Sequence, residues 1–247
     1  MTIQNAMVLA AGLGTRLRPI TDRLPKPLVP VGGRPMIDYV LDSLAEAGVT
    51  KVAINIHHHA DMMLSHLAKR MDMEILISDE RDRLMNNGGG LVKGLKLLPD
   101  GPVVVMNADL FWVGEPENQF SNLRELIQFF DPDRMDMAML CVTLEQAIGH
   151  DGKKDFNLDA EARLTRYSEG DPTPVVYAGA FVVNTAFFAD APDEPFNLNI
   201  YFDKAIRNGR LFGTMLSGHW ITVGSPDGLE AAEGFLGTRQ LIASGAG

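Results

Sequence analysis

The sequence reads AMVLAAGLGTRLRP over residues 6–19 and LPKPLVPV over residues 24–31. The apolar run at residues 6–11 is short and runs into Gly12, so it predicts a buried β-strand that leads into a turn. Gly12 and Gly14 have no Cβ, which lets backbone N–H groups approach a bound phosphate closely. The stretch therefore predicts a strand followed by a loop suited to an anionic ligand.

Three cationic side chains, Arg16, Arg18 and Lys26, follow the first glycine of that turn. The prolines on either side of Lys26 hold its backbone extended and stiff. A stiff backbone suits a lysine whose charge must point in a fixed direction. A dinucleotide fingerprint does not fit, because its third glycine would fall on Leu17, and no Walker-type Gly-Lys-Ser/Thr follows. A two-glycine turn and solvated cations are each common. Their combination over residues 9–31 predicts a nucleotide-phosphate site.

Strand and helix patterns alternate through the first half of the chain. Apolar residues on one face predict a helix over residues 36–47, which ends at Gly48. Strands alternating with helices at this spacing form βαβ units, so we predict an α/β fold with a doubly wound, mostly parallel, Rossmann-like sheet. The other predicted strands are residues 51–56, 73–77 and 102–106, and the other predicted helices are residues 61–71 and 89–98.

From about residue 135 the pattern changes to strands with fewer helices between them. Strands are predicted at residues 137–143, 155–159, 164–167, 175–183 and 211–216, and a helix at residues 227–243. No low-complexity linker separates the halves, and the tail shows no hexapeptide period. We therefore predict that the second half completes a mixed sheet within one domain, residues 1–247.

Composition excludes some classes of function. The chain has 247 residues and a formal net charge of −10, which argues against a nucleic-acid partner, since such a surface needs basic side chains. No apolar run approaches the length of a membrane span, and the first residues do not resemble a signal peptide. The single cysteine, Cys141, lies in an apolar strand pattern and indicates a reducing compartment. A cytoplasmic location is expected.

The strand predicted at residues 102–106 is followed by Asn107 and Asp109. Ligands of open α/β sheets bind at the carboxyl ends of the strands. Asp109 is therefore a candidate ligand for Mg²⁺, which takes one or two carboxylates and completes its shell with water and phosphate. Asn107 is a candidate for an additional polar contact at the same place. The alternative is an acid that caps the next turn.

Asn86 and Asn87 precede three consecutive glycines at the start of the helix predicted at residues 89–98. Glycine is costly inside a helix, so a close approach by a ligand is one explanation for the run. The alternative explanation is a flexible turn with asparagine as the helix cap.

The stretch from Leu9 to Gly48 resembles the sugar-phosphate nucleotidyltransferases, whose opening reads Gly-x-Gly-Thr-Arg-Leu-x-Pro and then Pro-Lys-Pro-Leu-x-Pro-Val. The resemblance implies a nucleotide-binding part over residues 1–130 and a sugar-phosphate-binding part over residues 131–247. The triple glycine is closest to the N-acetylmuramate-1-phosphate uridylyltransferases, which serve peptidoglycan recycling. Those members carry Glu-Thr where this chain has Asn86 and Asn87.

The resemblance also implies roles for individual residues. A nucleoside triphosphate, UTP in the muramate subgroup, and a sugar 1-phosphate would be the substrates, with Mg²⁺ held by Asp109. Arg16 and Lys26 would neutralise charge on the triphosphate and, with Asp109, form the catalytic set. The nucleotide would contact Ala10, Ala11, Gly12, Gly14, Thr15, Arg16, Lys26, Asn87, Gly88 and Asn107, and the sugar would contact Asp155, Glu169 and Gly179.

The sequence departs from the family pattern at two positions of the second half. Thr222 occupies the place of the second metal-binding aspartate, and Gly170 follows Glu169 where many members have lysine. Lys153 and Lys154 are candidates to replace that lysine.

The histidines near these segments do not indicate a single function. His219 either reaches the site or is structural, and residues 57–59 are predicted to form a loop, with modest resemblance to a loop near the acceptor.

The expected reaction is in-line attack of a sugar-phosphate oxygen on the nucleotide α-phosphorus, with release of pyrophosphate and no protein nucleophile. Two alternatives remain open at this point. One is the same chemistry on another pair, such as mannose 1-phosphate with GTP. The other is a catalytically weak sensor of nucleotides or nucleotide sugars, which Thr222 suggests.

Overall fold

The strand predicted before the glycine loop forms as β1 (Asn5–Leu9), and its three central side chains are completely buried. The computed structural model describes residues 1–116 and 120–245, with the backbone alone for residues 240–245. The other strands are β2 (Pro30–Val31), β3 (Arg34–Pro35), β4 (Lys51–Ile56), β5 (Glu74–Asp79), β6 (Pro102–Asn107), β7 (Leu110–Val113), β8 (Met137–Val142), β9 (Ala147–Ile148), β10 (Phe156–Leu158), β11 (Leu164–Arg166), β12 (Pro174–Asn184), β13 (Leu211–Met215) and β14 (His219–Thr222). The helices are α1 (Met36–Glu46), α2 (Ala60–Leu67), α3 (Asn86–Leu95), α4 (Asn122–Phe129), α5 (Asn199–Arg207) and α6 (Pro226–Gly245).

The large sheet is mixed, with its parallel strands in the first half of the chain. Its order is β11-β10-β12-β6-β1-β4-β5, and β8 and β13 join beside β12. Strands β6, β1, β4 and β5 are mutually parallel, whereas β12 runs antiparallel to β6. This arrangement confirms the predicted α/β fold with a mostly parallel, mixed sheet. Because the parallel strands end at the same edge, the loops that follow them converge there.

Side chains of β1 alternate between the two faces of the sheet, and each face is covered by helices. Val8 joins an apolar cluster with Ile37 of α1 and Met63 of α2. Met7 joins the opposite cluster with Leu91 of α3. The sheet is therefore wound on both faces, as the alternation of strands and helices predicted. Within the described parts of the chain, none of the helices has the length and apolarity that a membrane crossing requires.

Several elements were not predicted. The helix α4 buries Leu123, Leu126 and Ile127. Apolar residues three and four positions apart are typical of a helix, so the signal was present in the sequence. The helix α5 and the strands β7 and β14 were also missed. The two strands have four residues each and exist as strands because they pair antiparallel with one another. Such a pairing joins segments that are distant in the sequence, so local patterns do not reveal it.

Candidate functional site

A cavity of about 280 Å³ lies at the carboxyl ends of β1, β4, β5 and β6. We call it the first cavity. Its walls combine the glycine loop, the proline-flanked lysine and the polar residues that follow the parallel strands. The lining residues are Leu9, Ala10, Ala11, Gly12, Lys26, Pro27, Asn55, Glu80, Leu84, Asn86, Asn87, Asn107, Ala108 and Asp109. Most of the residues predicted to bind nucleotide are therefore brought together.

The floor of the first cavity is a buried polar pair, Asn55 and Glu80. Asn55 Oδ1 accepts hydrogen bonds from the backbone N–H groups of Ala10 (2.6 Å) and Ala11 (3.2 Å), and its Nδ2 donates to Glu80 Oε1 (2.6 Å). Glu80 Oε2 accepts from the N–H of Met85 (2.9 Å). The pair fixes the path of the glycine loop, because buried polar groups hold their partners strongly.

Neither Asn55 nor Glu80 was predicted as a site residue. A signal was present, since an asparagine in the apolar strand KVAINI and a glutamate after β5 both lie at carboxyl ends of parallel strands. The contacts also involve Ala10 and Ala11. Their N–H groups are engaged by Asn55, while both residues line the first cavity, and their predicted contact with the nucleotide stays a prediction.

The free N–H groups of the loop begin one residue later. Within residues 1–116 and 120–245, the N–H groups of Gly12, Leu13 and Gly14 have no protein partner. Gly14 has φ 63°, in the left-handed region, and a Cβ there would lie 2.7 Å from Thr21 Cγ2. Successive free N–H groups of this kind form a concavity that binds anions. Thr15, also predicted at this loop, is exposed and lies outside the lining of the first cavity.

The histidine loop supports the glycine loop from outside. Thr21 Oγ1 donates to the Gly14 carbonyl (2.8 Å), and His58 Nε2 donates to the Thr21 carbonyl (2.7 Å). His57 Nδ1 bonds the Glu80 carbonyl (2.7 Å). Residues 57–59 form a loop, as predicted, and its hydrogen bonds go to Thr21 and Glu80, while its placement near the acceptor stays a prediction.

Lys26 and Asp109 form an ion pair at the rim of the first cavity. Lys26 Nζ donates to Asp109 Oδ2, and the side chains are 12% and 33% exposed. The two residues were proposed from separate motifs. The fold joins them because the short 3-10 helical turn Lys26–Leu28 and the end of β6 meet at one edge of the sheet. The positive charge of Lys26 and the negative charge of Asp109 therefore balance each other.

A second cavity of about 630 Å³ lies beside the first and holds the other predicted cation. It is lined by Arg16, Gly149, His150, Asp151, Lys153, Asp155, Thr222, Gly224, Ser225, Asp227, Gly228 and Ala231. The guanidinium of Arg16 packs against Gly224, where a Cβ would lie 3.0 Å from its Nη2. Arg16 and Lys26 are thus divided between two cavities, although the sequence suggested one cluster.

Asp155, which lines the second cavity, is held by the strand β12. The Tyr177 N–H of that strand donates to Asp155 Oδ2 (2.9 Å). Burial raises the pKa of the Tyr177 phenol well above its ordinary value, and the negative charges of Asp109 and Asp155 act in the same direction. The phenol of Tyr177 is therefore protonated at neutral pH.

Thr222 is placed next to Asp109 through the pairing of β14 with β7. Thr222 lies opposite Leu110, and the Val223 N–H donates to the Asp109 carbonyl (3.1 Å). Of the residues described, no three His, Cys, Asp or Glu side chains form a group able to hold a metal ion. The donor set is thus one carboxylate with neutral oxygens nearby.

Packing explains several glycines without a ligand. A Cβ on Gly88 would lie 2.3 Å from the Phe196 ring, and one on Gly90 would lie 2.6 Å from both Asn55 Nδ2 and Glu80 Oε1. Gly179 has φ 75°, and a Cβ there would lie 1.9 Å from Leu110 Cδ2. Protein contacts alone therefore require glycine at positions 88 and 179, and the predicted contacts of Gly88 with the nucleotide and of Gly179 with the sugar stay predictions.

The other residues considered for the sugar-phosphate side of the site do not gather in one cavity. Glu169 is exposed between β11 and β12 and lines neither of the two cavities. Lys153 lines the second cavity, whereas Lys154 lies over the Tyr167 ring at 4.9 Å. His219 packs on Phe235 of α6 with ring centroids 4.9 Å apart, as a structural residue would.

Comparison with known proteins agrees with this arrangement. The family model described as Nucleotidyl transferase matches residues 5–149. The chain is 38% identical to N-acetylmuramate alpha-1-phosphate uridylyltransferase of Caulobacter vibrioides, over 92% of this chain and 95% of that protein. It is 31% identical to mannose-1-phosphate guanyltransferase of Emericella nidulans, over 90% of this chain and 61% of that protein, so the chain spans about three fifths of that relative.

Solved structures show the same fold. A UDP-glucose pyrophosphorylase complexed with UDP-glucose superposes with a TM-score of 0.77 at 17% identity, covering 96% of this chain and 100% of that chain. The inositol-1-phosphate CTP transferase from T. maritima superposes with a TM-score of 0.74 at 16% identity, covering 94% and 96%. The family match over residues 5–149 and the 38% identity to the Caulobacter vibrioides protein establish that the chain belongs to the nucleotidyl transferase family, as a sugar-1-phosphate nucleotidyltransferase.

Proposed function

We propose that the enzyme transfers a uridylyl group from UTP to N-acetylmuramate 1-phosphate and releases pyrophosphate. The observation that carries the chemistry is the first cavity, where free loop N–H groups, Lys26 and Asp109 converge. The choice of substrates is supported by the relative from Caulobacter vibrioides, which matches almost end to end. This acceptor would place the reaction in peptidoglycan recycling, in the cytoplasm.

In the proposed reaction, a phosphate oxygen of the sugar phosphate attacks the α-phosphorus of UTP in line with the departing pyrophosphate. The new P–O bond forms as the bond from the α-phosphorus to the bridging oxygen breaks, and pyrophosphate takes that electron pair. No protein nucleophile is needed, since positioning and charge neutralisation carry such displacements. The free N–H groups at residues 12–14 would hold phosphate oxygens, and Lys26 would neutralise developing charge.

Mg²⁺ fits this site only as a partner of the nucleotide. Asp109 offers one carboxylate, Asn107 one neutral oxygen, and Lys26 already pairs with Asp109. Mg²⁺ gives up its waters reluctantly and commonly uses one or two carboxylates with substrate phosphates, so this donor set is sufficient once phosphates are present. When bound, the ion would neutralise negative charge on the triphosphate.

The second cavity is the proposed site of the sugar phosphate. It opens beside the first cavity and presents Arg16 and Lys153 as cations and Asp155 as a hydrogen-bond acceptor. A cation suits the acceptor phosphate, and a carboxylate suits sugar hydroxyl groups.

The second candidate pair is mannose 1-phosphate with GTP, because mannose-1-phosphate guanyltransferases match 90% of the chain. Pyrophosphate release, measured for each of four nucleoside triphosphates with each of several sugar 1-phosphates, tests both assignments. We expect the highest kcat/KM for UTP with N-acetylmuramate 1-phosphate. A higher value for another pair would replace this assignment, and nucleotide binding without turnover on any acceptor would favour a sensor.

A further inference from the structure

The glycine loop runs from one cavity to the other. Gly12 lines the first cavity and Arg16 lines the second. The N–H groups of residues 12–15, which lie at and between these positions, have no protein partner within residues 1–116 and 120–245. Successive N–H groups bind an anion when they point to the side of the chain on which it lies. The orientation of the peptide groups in this loop therefore decides whether the loop attracts phosphate.

The peptide group between Gly14 and Thr15 follows a glycine, so steric restriction does not fix its orientation. Gly14 has φ 63° and ψ 28°, in the left-handed region, and glycine adopts positive and negative φ with similar ease. In a trans peptide the N–H of Thr15 points opposite to the carbonyl of Gly14. If this peptide turned over, a carbonyl oxygen would replace an N–H on the side of the anion and would repel phosphate.

Thr21 holds this peptide in place. The Gly14 carbonyl accepts hydrogen bonds from the Leu17 N–H (2.8 Å) and from Thr21 Oγ1 (2.8 Å), so both of its lone pairs are used. Thr21 is 1% exposed, and a Cβ at residue 14 would lie 2.7 Å from its Cγ2. The hydroxyl group of one buried side chain thus fixes the carbonyl, and its methyl group packs against the glycine.

His58 in turn holds Thr21. Its Nε2 bonds the Thr21 carbonyl (2.7 Å), and because a carbonyl can only accept, Nε2 carries a proton whether the ring is neutral or charged. The neighbouring His57 Nδ1 bonds the Glu80 carbonyl (2.7 Å), which ties the histidine loop to the segment that follows β5. Thr21 is therefore anchored to the parallel sheet through a side chain 37 positions away in the sequence.

We propose that Thr21, held by His58, positions the glycine loop for the phosphates of the nucleotide. The proposal rests on the proposed function for the presence of a nucleoside triphosphate at this loop. Thr21 and His58 line neither of the two cavities and act through the backbone. They keep the Thr15 N–H, and not the Gly14 carbonyl, on the side of the anion. Loss of either contact should weaken triphosphate binding and leave binding of the sugar phosphate unchanged.

Matched substitutions separate the hydrogen bonds from the packing. Thr21→Val keeps the shape and removes the hydroxyl group, whereas Thr21→Ser keeps the hydroxyl group and removes the methyl group. His58→Leu removes the ring donor, whereas His58→Gln supplies an amide donor at a similar distance from the backbone. Thr238→Val is the control, because Thr238 is exposed in α6 and donates to the carbonyl of Gly234 in the same helix (2.9 Å).

The dissociation constant of UTP, measured by calorimetry with Mg²⁺ and no acceptor, gives the main readout. We expect it to rise about tenfold in Thr21→Val and about threefold or more in His58→Leu, as the loss of one hydrogen bond predicts. Thr21→Ser, His58→Gln and Thr238→Val should stay within about twofold of the parent protein. In steady-state kinetics the KM for UTP should rise in the same order, while the KM for the sugar phosphate stays unchanged.

A role confined to stability gives a different pattern. If Thr21→Val lowers the melting temperature and yet binds UTP as tightly as the parent protein, Thr21 stabilises the fold only, and the proposal is overturned. Equal weakening in Thr21→Val and Thr21→Ser would also overturn it, since packing and not the hydroxyl group would then be responsible. Should Thr21→Val not fold, the comparison of His58→Leu with His58→Gln provides the same test.

Because UTP binding is measured without turnover, the two proposals can fail separately. If UTP affinity depends on the Thr21 hydroxyl while no sugar phosphate is uridylylated, the positioning role stands and the proposed function fails. If uridylylation proceeds and UTP affinity is the same in all variants, the proposed function stands and the positioning role is wrong. A parent protein that binds no nucleoside triphosphate would overturn both.

Discussion

Lys26 Nζ donates a hydrogen bond to Asp109 Oδ2, joining two residues that are 83 positions apart in the chain. Each was proposed for a different task, the lysine for the triphosphate and the aspartate for the metal. In the structure the two charges neutralise one another. Binding of a magnesium–nucleotide complex would have to exchange this pair for contacts of Lys26 with phosphate and of Asp109 with the metal.

Lys26→Ala should lower kcat by about 10²–10³, because it removes one preorganised charge from the reacting phosphates. Its partner Asp109 is 33% exposed and can be hydrated, so the fold should persist. Lys96→Ala is the matched control, since Lys96 is exposed and its one ion pair among the described residues is with Asp193 at 2.9 Å. Pyrophosphate release and circular dichroism check the two expectations. Near-normal turnover of Lys26→Ala would remove the lysine from the mechanism.

Arg16→Ala should lower kcat/KM for the sugar phosphate by about 10² with an unchanged melting temperature. Arg16 is exposed, lines the second cavity and makes no ion pair within residues 1–116 and 120–245, so its loss leaves no buried group unpaired. Arg18→Ala, which removes a surface cation paired with Asp22, should have little effect. Equal rates for the two variants would show that Arg16 has no part in the reaction.

Thr222→Asp should lower the magnesium concentration for half-maximal rate by about tenfold, because a second carboxylate raises the charge of the donor set. Thr222 is suitable since its strand pairs with the segment that follows Asp109. Thr222→Asn, similar in shape and neutral, is the control, and Asp109→Asn should abolish metal-dependent turnover. An unchanged requirement in Thr222→Asp would mean that position 222 does not face the metal.

Gly90→Ala should destabilise the fold by about 1–3 kcal/mol, the usual cost of overpacking. The added methyl group would lie 2.6 Å from Asn55 Nδ2 and Glu80 Oε1, the pair that fixes the glycine loop. Gly237→Ala in α6 has open space around its Cβ and should stabilise the fold by up to about 1 kcal/mol. Denaturant unfolding of both variants measures the change in the free energy of unfolding, which should be negative for Gly90→Ala and positive for Gly237→Ala. Equal changes in the two variants would contradict this prediction.

Cys141 should resist thiol reagents in the native protein. The side chain is completely buried, and this burial raises the pKa of the Cys141 thiol. Because only the thiolate reacts, labelling should stay slow even as the pH rises past the usual thiol pKa, and it should become rapid on unfolding. Labelling with a chromogenic disulfide, with and without denaturant, provides the measurement. Fast native labelling would contradict the buried position.

Local sequence determined most of the strands, most of the helices and the glycine loop proposed to bind phosphate. The helix predicted at residues 36–47 forms as α1 (Met36–Glu46), and the strand predicted at residues 51–56 forms as β4. Hydrophobic period and glycine or proline positions act over a few residues, so a single segment carries the signal. The division into residues 1–130 and 131–247 stays a prediction.

Tertiary structure alone decided how the site is divided. Arg16 and Lys26 are ten positions apart, yet the turn between them sends one to each cavity. Asn55 and Glu80 meet only because β4 and β5 are adjacent parallel strands. The orientation of the Asn87 amide depends on Leu198, far along the chain. These relationships arise from long-range packing and hydrogen bonding, which no local pattern encodes, whereas the family, the fold class and the phosphate loop were already present in the order of residues.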